Sequence, residues 1–377
     1  MNQRTVQLIW VLLLVVSIPD SSVSGAERWS TEKVNAWYAK QPWFVGCNFS
    51  PSTAINQLEM WQADSFDPQA MERELSWAGG LGFNCVRVYL HDLLWKQDSA
   101  GFIQRIDRFL EIANKHEIQV MFVLLDGVWD PQPKLGKQPV PRPHVHNSGW
   151  VQSPGADLLG DAKRHDELRP YIYGVIRAFR EDRRVIAWDL FNEPDNANTN
   201  AYGEQGAKTE LENKAEMATQ LLSKVFVWAR EADPSQPLTA AVWLGPWPKH
   251  GEMSEIDRLM IDQSDLISFH NYGDLSHVEP RVKQLRRYNR PIFCTEYMAR
   301  PTGSRFDPLL GYFKEQKIAA FNWGFVAGKT QTNYPWDSWQ KRYTAEPKVW
   351  FHEILRADGS AYDPAEVRYI KKVTGAK

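Results

Sequence analysis

The sequence predicts an α/β fold, a (β/α)8 TIM barrel, and three observations lead there. Short apolar runs of strand character recur eight times, helix-like segments fall between them, and the array fills roughly 350 residues, as a barrel with long loops requires. A doubly wound open sheet fits less well, because no Gly-x-Gly-x-x-Gly follows the first strand. The stretch "GGLGF" at 79 ends a helix and enters a strand, the wrong order for a phosphate cradle.

Taken in order, the first strand is "WFVGCNF" at 43. The segment "DPQAMERELSWAGGLG" follows as a helix: its Asp-Pro start and glycine-rich stop are the expected ends. Strands two and three are "FNCVRVY" at 83 and "IQVMFVLLD" at 118. The Pro-rich "DPQPKLGKQPVPRPHVHNSGWVQSPG" then delays the next helix and reads as a long loop, Asp126 to Asp161, over one barrel face, where it walls one end of a cleft. Strand four is "VIAWDLF" at 185. The helix "NKAEMATQLLSKVFVWAREADP" leads to strand five, "PLTAAVW" at 237. The last three strands are "DLISFHNY" at 265, "RPIFCTEY" at 290 and "IAAFNWGFV" at 318. No linker interrupts the repeat, so residues 27–377 are expected to form a single domain.

Residues 1–26 read as a signal peptide. Arg4 precedes the apolar run "VQLIWVLLLVVSI", Pro19 breaks it, and the small residues of "SSVSGA" offer a cleavage site near Ala26. The run is short of the roughly 20 apolar residues of a spanning helix, so the expected product is secreted or periplasmic, with no stable membrane insertion after cleavage.

The 377 residues are 43% hydrophobic and 24% charged, a globular composition. With 44 Lys+Arg against 46 Asp+Glu there is no basic footprint for nucleic acid or anionic membrane. Cys47, Cys85 and Cys294 each sit in a strand-like run, which favours buried free thiols; one bridge between neighbouring strands stays open as an alternative. The triplet Asn48-Phe49-Ser50 matches a glycosylation acceptor, but its place at a strand end before Pro51 gives it little weight.

In a barrel, ligands and catalytic groups gather at the C-terminal ends of the strands. Glu193 follows strand four and Glu296 lies at the end of strand seven, so the fold brings two carboxylates to one face. That pair is what glycosidic bond cleavage uses: one protonates the leaving oxygen while the other attacks. Arg87 on strand two can hold a carboxylate ionised, Asn192 can hydrogen-bond a sugar hydroxyl, and "HNY" sets His270 and Tyr272 after strand six. Trp323 ends strand eight, and Trp129, Trp150, Trp247, Trp336 and Trp339 stand in loops, where indole faces suit the C–H side of a sugar ring.

At these residues the chain resembles the clan A retaining glycoside hydrolases, family 5 most of all. The matching pieces are "GFNCVRVY", "WDLFNEP", "HNY", "TEY" and "FNWGF", spread over residues 43 to 352. The resemblance implies a retaining β-glycosidase acting on plant-type glucan, mannan or xylan without a cofactor. It makes Glu193 the acid/base, Glu296 the nucleophile, Arg87 and Tyr272 the groups orienting that nucleophile, and Asn192 the partner of the sugar 2-hydroxyl. One departure stands out: the histidine many such enzymes carry beyond strand three is replaced by "LLDGVWD", and His91, His144 or His146 are the candidates to compensate.

Two other functions fit the sequence less well. A catalytically inactive carbohydrate-binding barrel has no need of both glutamates with Arg87, Asn192 and Tyr272 around them. A metal-dependent hydrolase needs ligands at several strand ends; only His270 is well set, and the His144-x-His146 spacing lacks a further clustered ligand, so no metal is expected. Asp189, mid-strand, reads as a buried structural carboxylate with a basic or backbone partner.

Overall fold

The computed structural model describes residues 27–199 and 210–376. The expected leader, residues 1–26, lies outside them. Eight strands form the barrel: β1 (Val45–Asn48), β2 (Cys85–Tyr89), β3 (Gln119–Asp126), β4 (Val185–Asn192), β5 (Leu238–Thr239), β6 (Ile267–His270), β7 (Ile292–Tyr297) and β8 (Ala319–Asn322). Every pairing is parallel and the order is β5-β4-β3-β2-β1-β8-β7-β6. A parallel bridge between Val242 and Phe269 closes the ring, with Val242 N–H donating to Ser268 O and His270 N–H to Val242 O, both at 3.1 Å. No helix among the described residues is long and apolar enough to cross a membrane.

Each expected strand is present; β4 extends one residue past its apolar run, to Asn192, and the other seven are shorter than theirs. β5 shrinks most: its ladder ends because Ala240 N–H donates to the Ser264 side chain instead of a neighbouring strand. The helix read from the Asp-Pro start spans Pro68–Gly80, with the Asp67 carboxylate capping Ala70 N–H at 3.0 Å and proline in the first turn. The second predicted helix spans Lys214–Glu231. The long loop after β3 is tied back on itself by bridges between Asp126 and Ser153 and between Asp130 and Val151.

Strand alternation stacks the barrel interior in layers. On β2, Cys85 joins an apolar floor with Met121, Ala187, Phe293 and Phe321, while Val86 and Val88 face the helices. The helix Thr31–Tyr38 seals that floor from below through Val34, Trp37 and Tyr38. Two residues further along β2, Arg87 occupies the middle layer, and Tyr89 joins an aromatic upper layer with Val123, Trp129 and Trp150. The same alternation explains the thiols. Cys47 and Cys85, on paired strands, belong to opposite faces, and all three cysteines are buried and free.

Candidate active site

Arg87 is the centre of the middle layer. Its guanidinium is wholly buried and fully used: Nε and Nη2 reach Asp189 Oδ2 at 3.0 and 2.7 Å, and Nη2 also donates to Asn192 Oδ1 at 2.8 Å. Nη1 donates to Asn48 Oδ1 at 2.7 Å, the Tyr89 hydroxyl at 2.6 Å and Glu296 Oε1 at 3.0 Å. Asp189 thus has the basic partner expected of it, and the Asn48 side chain is committed to the interior.

Glu296 lies near the end of β7, with Oε1 accepting from Arg87 and from Tyr89 at 2.9 Å, and Oε2 accepting from the Tyr272 hydroxyl at 2.7 Å. Burial opposes its charge, but the electrostatic pull of His270 and Arg87 and the hydrogen bonds from Tyr272 and Tyr89 outweigh it. The carboxyl is held below its ordinary range.

Glu193 has the opposite environment. It follows β4 at a φ of 40°, a left-handed turn that a non-glycine residue rarely adopts. The turn passes so close to Gly127 that a Cβ there would lie 2.2 Å from the Glu193 carbonyl oxygen. Glycine in "LLDGVWD" is therefore a requirement of the carboxylate's own backbone. Glu193 Oε1 pairs with His270 Nδ1 at 2.7 Å and Oε2 accepts from Asn196 at 2.6 Å. Burial first, and then the negative charge of Glu296, push its pKa up, with the His270 hydrogen bond opposing.

His270 Nδ1, bonded to Glu193, also stands 3.6 Å from Glu296 Oε2, so one imidazole nitrogen lies close to both carboxyl groups. Ligand atoms of Glu193, His270 and Glu296 all lie within 4.8 Å of one another. A cation there would compete with the His270 and Tyr272 hydrogen bonds and sit beside the Arg87 charge, so this trio is poorly suited to a metal.

A cleft open to solvent lies over these groups. Trp129, Trp150, Trp323 and Trp336 line it; Trp339 stacks behind Trp129 with ring centres 6.1 Å apart. Trp247 does not reach it and is core, 1% exposed. In "LLDGVWD", Asp126 closes β3: its Oδ1 accepts from Asn192 at 2.9 Å and Val128 N–H, and its Oδ2 accepts from Trp150 at 2.7 Å and Gln57. Burial pushes its carboxyl up to about 7 against these four donors. Of the compensating histidines, only His146 lines the cleft. His91 is buried at a helix start, where Nδ1 accepts from Leu93 N–H, and His144 pairs with the Tyr334 hydroxyl.

Sequence reasoning missed Asn48, Tyr89, Asp126, Asn196 and Trp243 as site residues. It also missed Lys214, whose buried Nζ donates to Gly127 O and Asn196 O, both at 2.7 Å, and pairs with Glu210 at 2.8 Å. Tyr89 had a usable signal, its inward phase two residues after Arg87. Lys214 had none, since a lysine at a helix start looks exposed.

No known protein-family model and no curated protein matches the chain. Solved structures do share its architecture. A GH5_18 protein from Streptomyces cattleya in complex with GlcNAc is similar over 88% of this chain and 79% of its own, at 13% identity and a TM-score of 0.58. A beta-mannanase from the blue mussel Mytilus edulis covers 82% and 94%, at 15% identity and TM-score 0.53. A beta-1,4-mannanase from the sea hare Aplysia kurodai covers 81% and 94%, at 16% identity and TM-score 0.53. At these identities the likeness establishes a barrel fold shared with glycosidases.

Proposed function

We propose that the protein is a retaining β-glycoside hydrolase, of the family 5 type, acting on β-linked glucan, mannan or xylan. The observation that carries this reading is the pairing of Glu193 with Glu296. Their carboxylate oxygens approach within 4.8 Å across the cleft, one group protonation-prone and the other held ionised. A direct nucleophile needs a gap of about 5 to 5.5 Å between the carboxyl groups, whereas an attacking water needs roughly 6.5 to 9.5 Å.

In the first step a Glu296 oxygen forms a bond to the anomeric carbon as the glycosidic C–O bond breaks, and the Glu193 proton goes to the leaving oxygen. In the second, Glu193 takes a proton from water, whose oxygen bonds to the same carbon and releases Glu296. Arg87, Tyr89 and Tyr272 keep Glu296 charged and aimed, and Asn192, pinned between Arg87 and Asp126, offers its amide beside them. No step calls for a cofactor.

β-Mannosides come first in testing, because mannanases are among the proteins of similar fold. Hydrolysis of a β-linked substrate followed by proton NMR should give the β-anomer first. A fresh α-anomer would overturn the retaining mechanism, and inactivity on mannan, glucan, xylan and aryl β-glycosides alike would overturn the hydrolase reading. We also read residues 1–26 as a signal peptide and the protein as secreted or periplasmic; the mature N-terminus of the exported protein tests this.

A further inference from the structure

Two buried polar side chains in the cleft wall have roles that neither the fold nor the double displacement accounts for. Asn147 is 1% exposed, yet neither Nδ2 nor Oδ1 of its amide has a partner. Its φ of 48° is left-handed, and its N–H is fixed on Thr330 O at 2.7 Å, so the loop holds a strained conformation that keeps this amide inside. The residue borders both the cleft and a hollow beside it, alongside Trp150 and Trp323. His352, wholly buried in the same cleft wall, has no partner at Nε2.

The tautomer of His352 follows from its other nitrogen. Nδ1 lies 2.5 Å from Met298 O, and a carbonyl only accepts, so Nδ1 carries the proton. Burial lowers the pKa of His352 well below the ordinary value, so the ring is neutral and Nε2 is a bare acceptor. His146, with ring centre 5.4 Å away, is the same case: Nδ1 faces Tyr334 O at 2.7 Å, and burial lowers its pKa to about 4. A buried acceptor without a donor costs on the order of 1–3 kcal/mol, which a ligand O–H can recover. Among the described residues the cleft is lined by no lysine or arginine, and its carboxyl groups are those of Glu193 and Glu296.

We propose that Asn147 and His352 bind hydroxyl groups of the substrate and so select an uncharged sugar over a uronic acid. The inference rests on the glycosidase reading and deepens it. An O–H donates to His352 Nε2, while the Asn147 amide both donates and accepts. A sugar carboxylate would set its lone pairs against that bare Nε2 and its charge against ionised Glu296, with no cation in this wall to offset either.

The test uses purified protein on nitrophenyl β-D-mannoside, β-D-glucoside, β-D-xyloside and β-D-glucuronide, with manno- and cello-oligosaccharides. At least one neutral substrate should be cleaved and the glucuronide should not. On the best neutral substrate, His352→Phe and Asn147→Ala should each raise KM by about ten-fold or more with a smaller change in kcat, and His352→Gln, which restores an acceptor, should recover part of the loss. Circular dichroism and Tm identify a variant that fails to fold, in which case the other decides. A glucuronide cleaved as well as the neutral sugars, or unchanged KM in a folded variant, overturns the inference and leaves the glycosidase reading intact. Wild-type inactivity on the whole panel ends both.

Discussion

Arg87 and Asp189 form an ion pair sealed in the middle of the barrel, Nη2 to Oδ2 at 2.7 Å, with neither side chain exposed. The pair anchors a guanidinium whose remaining N–H groups reach Asn48, Tyr89, Asn192 and Glu296. Substituting Arg87→Met should leave Asp189 buried and uncompensated and destabilise the fold by about 3–5 kcal/mol. Arg87→Met with Asp189→Leu should recover much of that stability and none of the activity. Urea unfolding of the single and double variants checks both; a stable single variant would show that Arg87 carries no structural load.

The proposed roles separate by leaving group. Glu296→Ala should abolish turnover of every substrate, while Glu193→Ala should still cleave aryl glycosides whose phenolate needs no proton. Added azide should restore turnover in Glu193→Ala by attacking the glycosyl-enzyme. Wild-type rates in Glu296→Ala would remove it as nucleophile.

Tyr272 donates to Glu296 Oε2 at 2.7 Å and is one of the groups holding that carboxyl down. Tyr272→Phe should therefore raise the Glu296 pKa. The acid limb of the kcat/KM profile, where Glu296 gains a proton, should move to higher pH, while the alkaline limb, where Glu193 loses one, should stay closer to its place. An unmoved acid limb would argue that Glu296 does not govern it.

Gly127 has no room for a side chain, since a Cβ would sit 2.2 Å from Glu193 O. Gly127→Ala should displace the Glu193 turn and cut kcat by roughly ten-fold or more, since ångström-scale misplacement is costly to catalysis. Its effect should be larger on substrates with poor leaving groups, which depend on Glu193, than on activated aryl glycosides. Equal losses on both would point to general unfolding instead.

Glu353 is buried with Oε2 unpartnered, and burial raises its pKa to about 7. Its folded pKa lies above the unfolded value near 4.3, so the native state binds the extra proton between them. Its contribution to stability is whole below about pH 4 and is lost as pH rises through 7. Glu353→Gln, which cannot ionise, should lose less Tm than the wild type between pH 5 and pH 8. Parallel Tm curves would show that Glu353 is ionised throughout.

The sequence by itself determined the barrel, because eight apolar runs of strand length alternating with helices of crossover length admit few other closed packings. It also predicted that both glutamates, Arg87, Asn192, His270 and Tyr272 would come together, since position along a strand follows from local pattern and the barrel gathers strand ends at one face. Only the tertiary structure decided the rest. Asp126 bonded to Asn192 at the end of β3, Lys214 buried under the β4 turn, Trp247 kept in the core and His352 drawn into the cleft wall all depend on contacts between segments distant in the chain. Periodicity reports which face of an element a residue occupies; what meets that face is set by how loops of unequal length fold over the barrel mouth, and no local pattern encodes it.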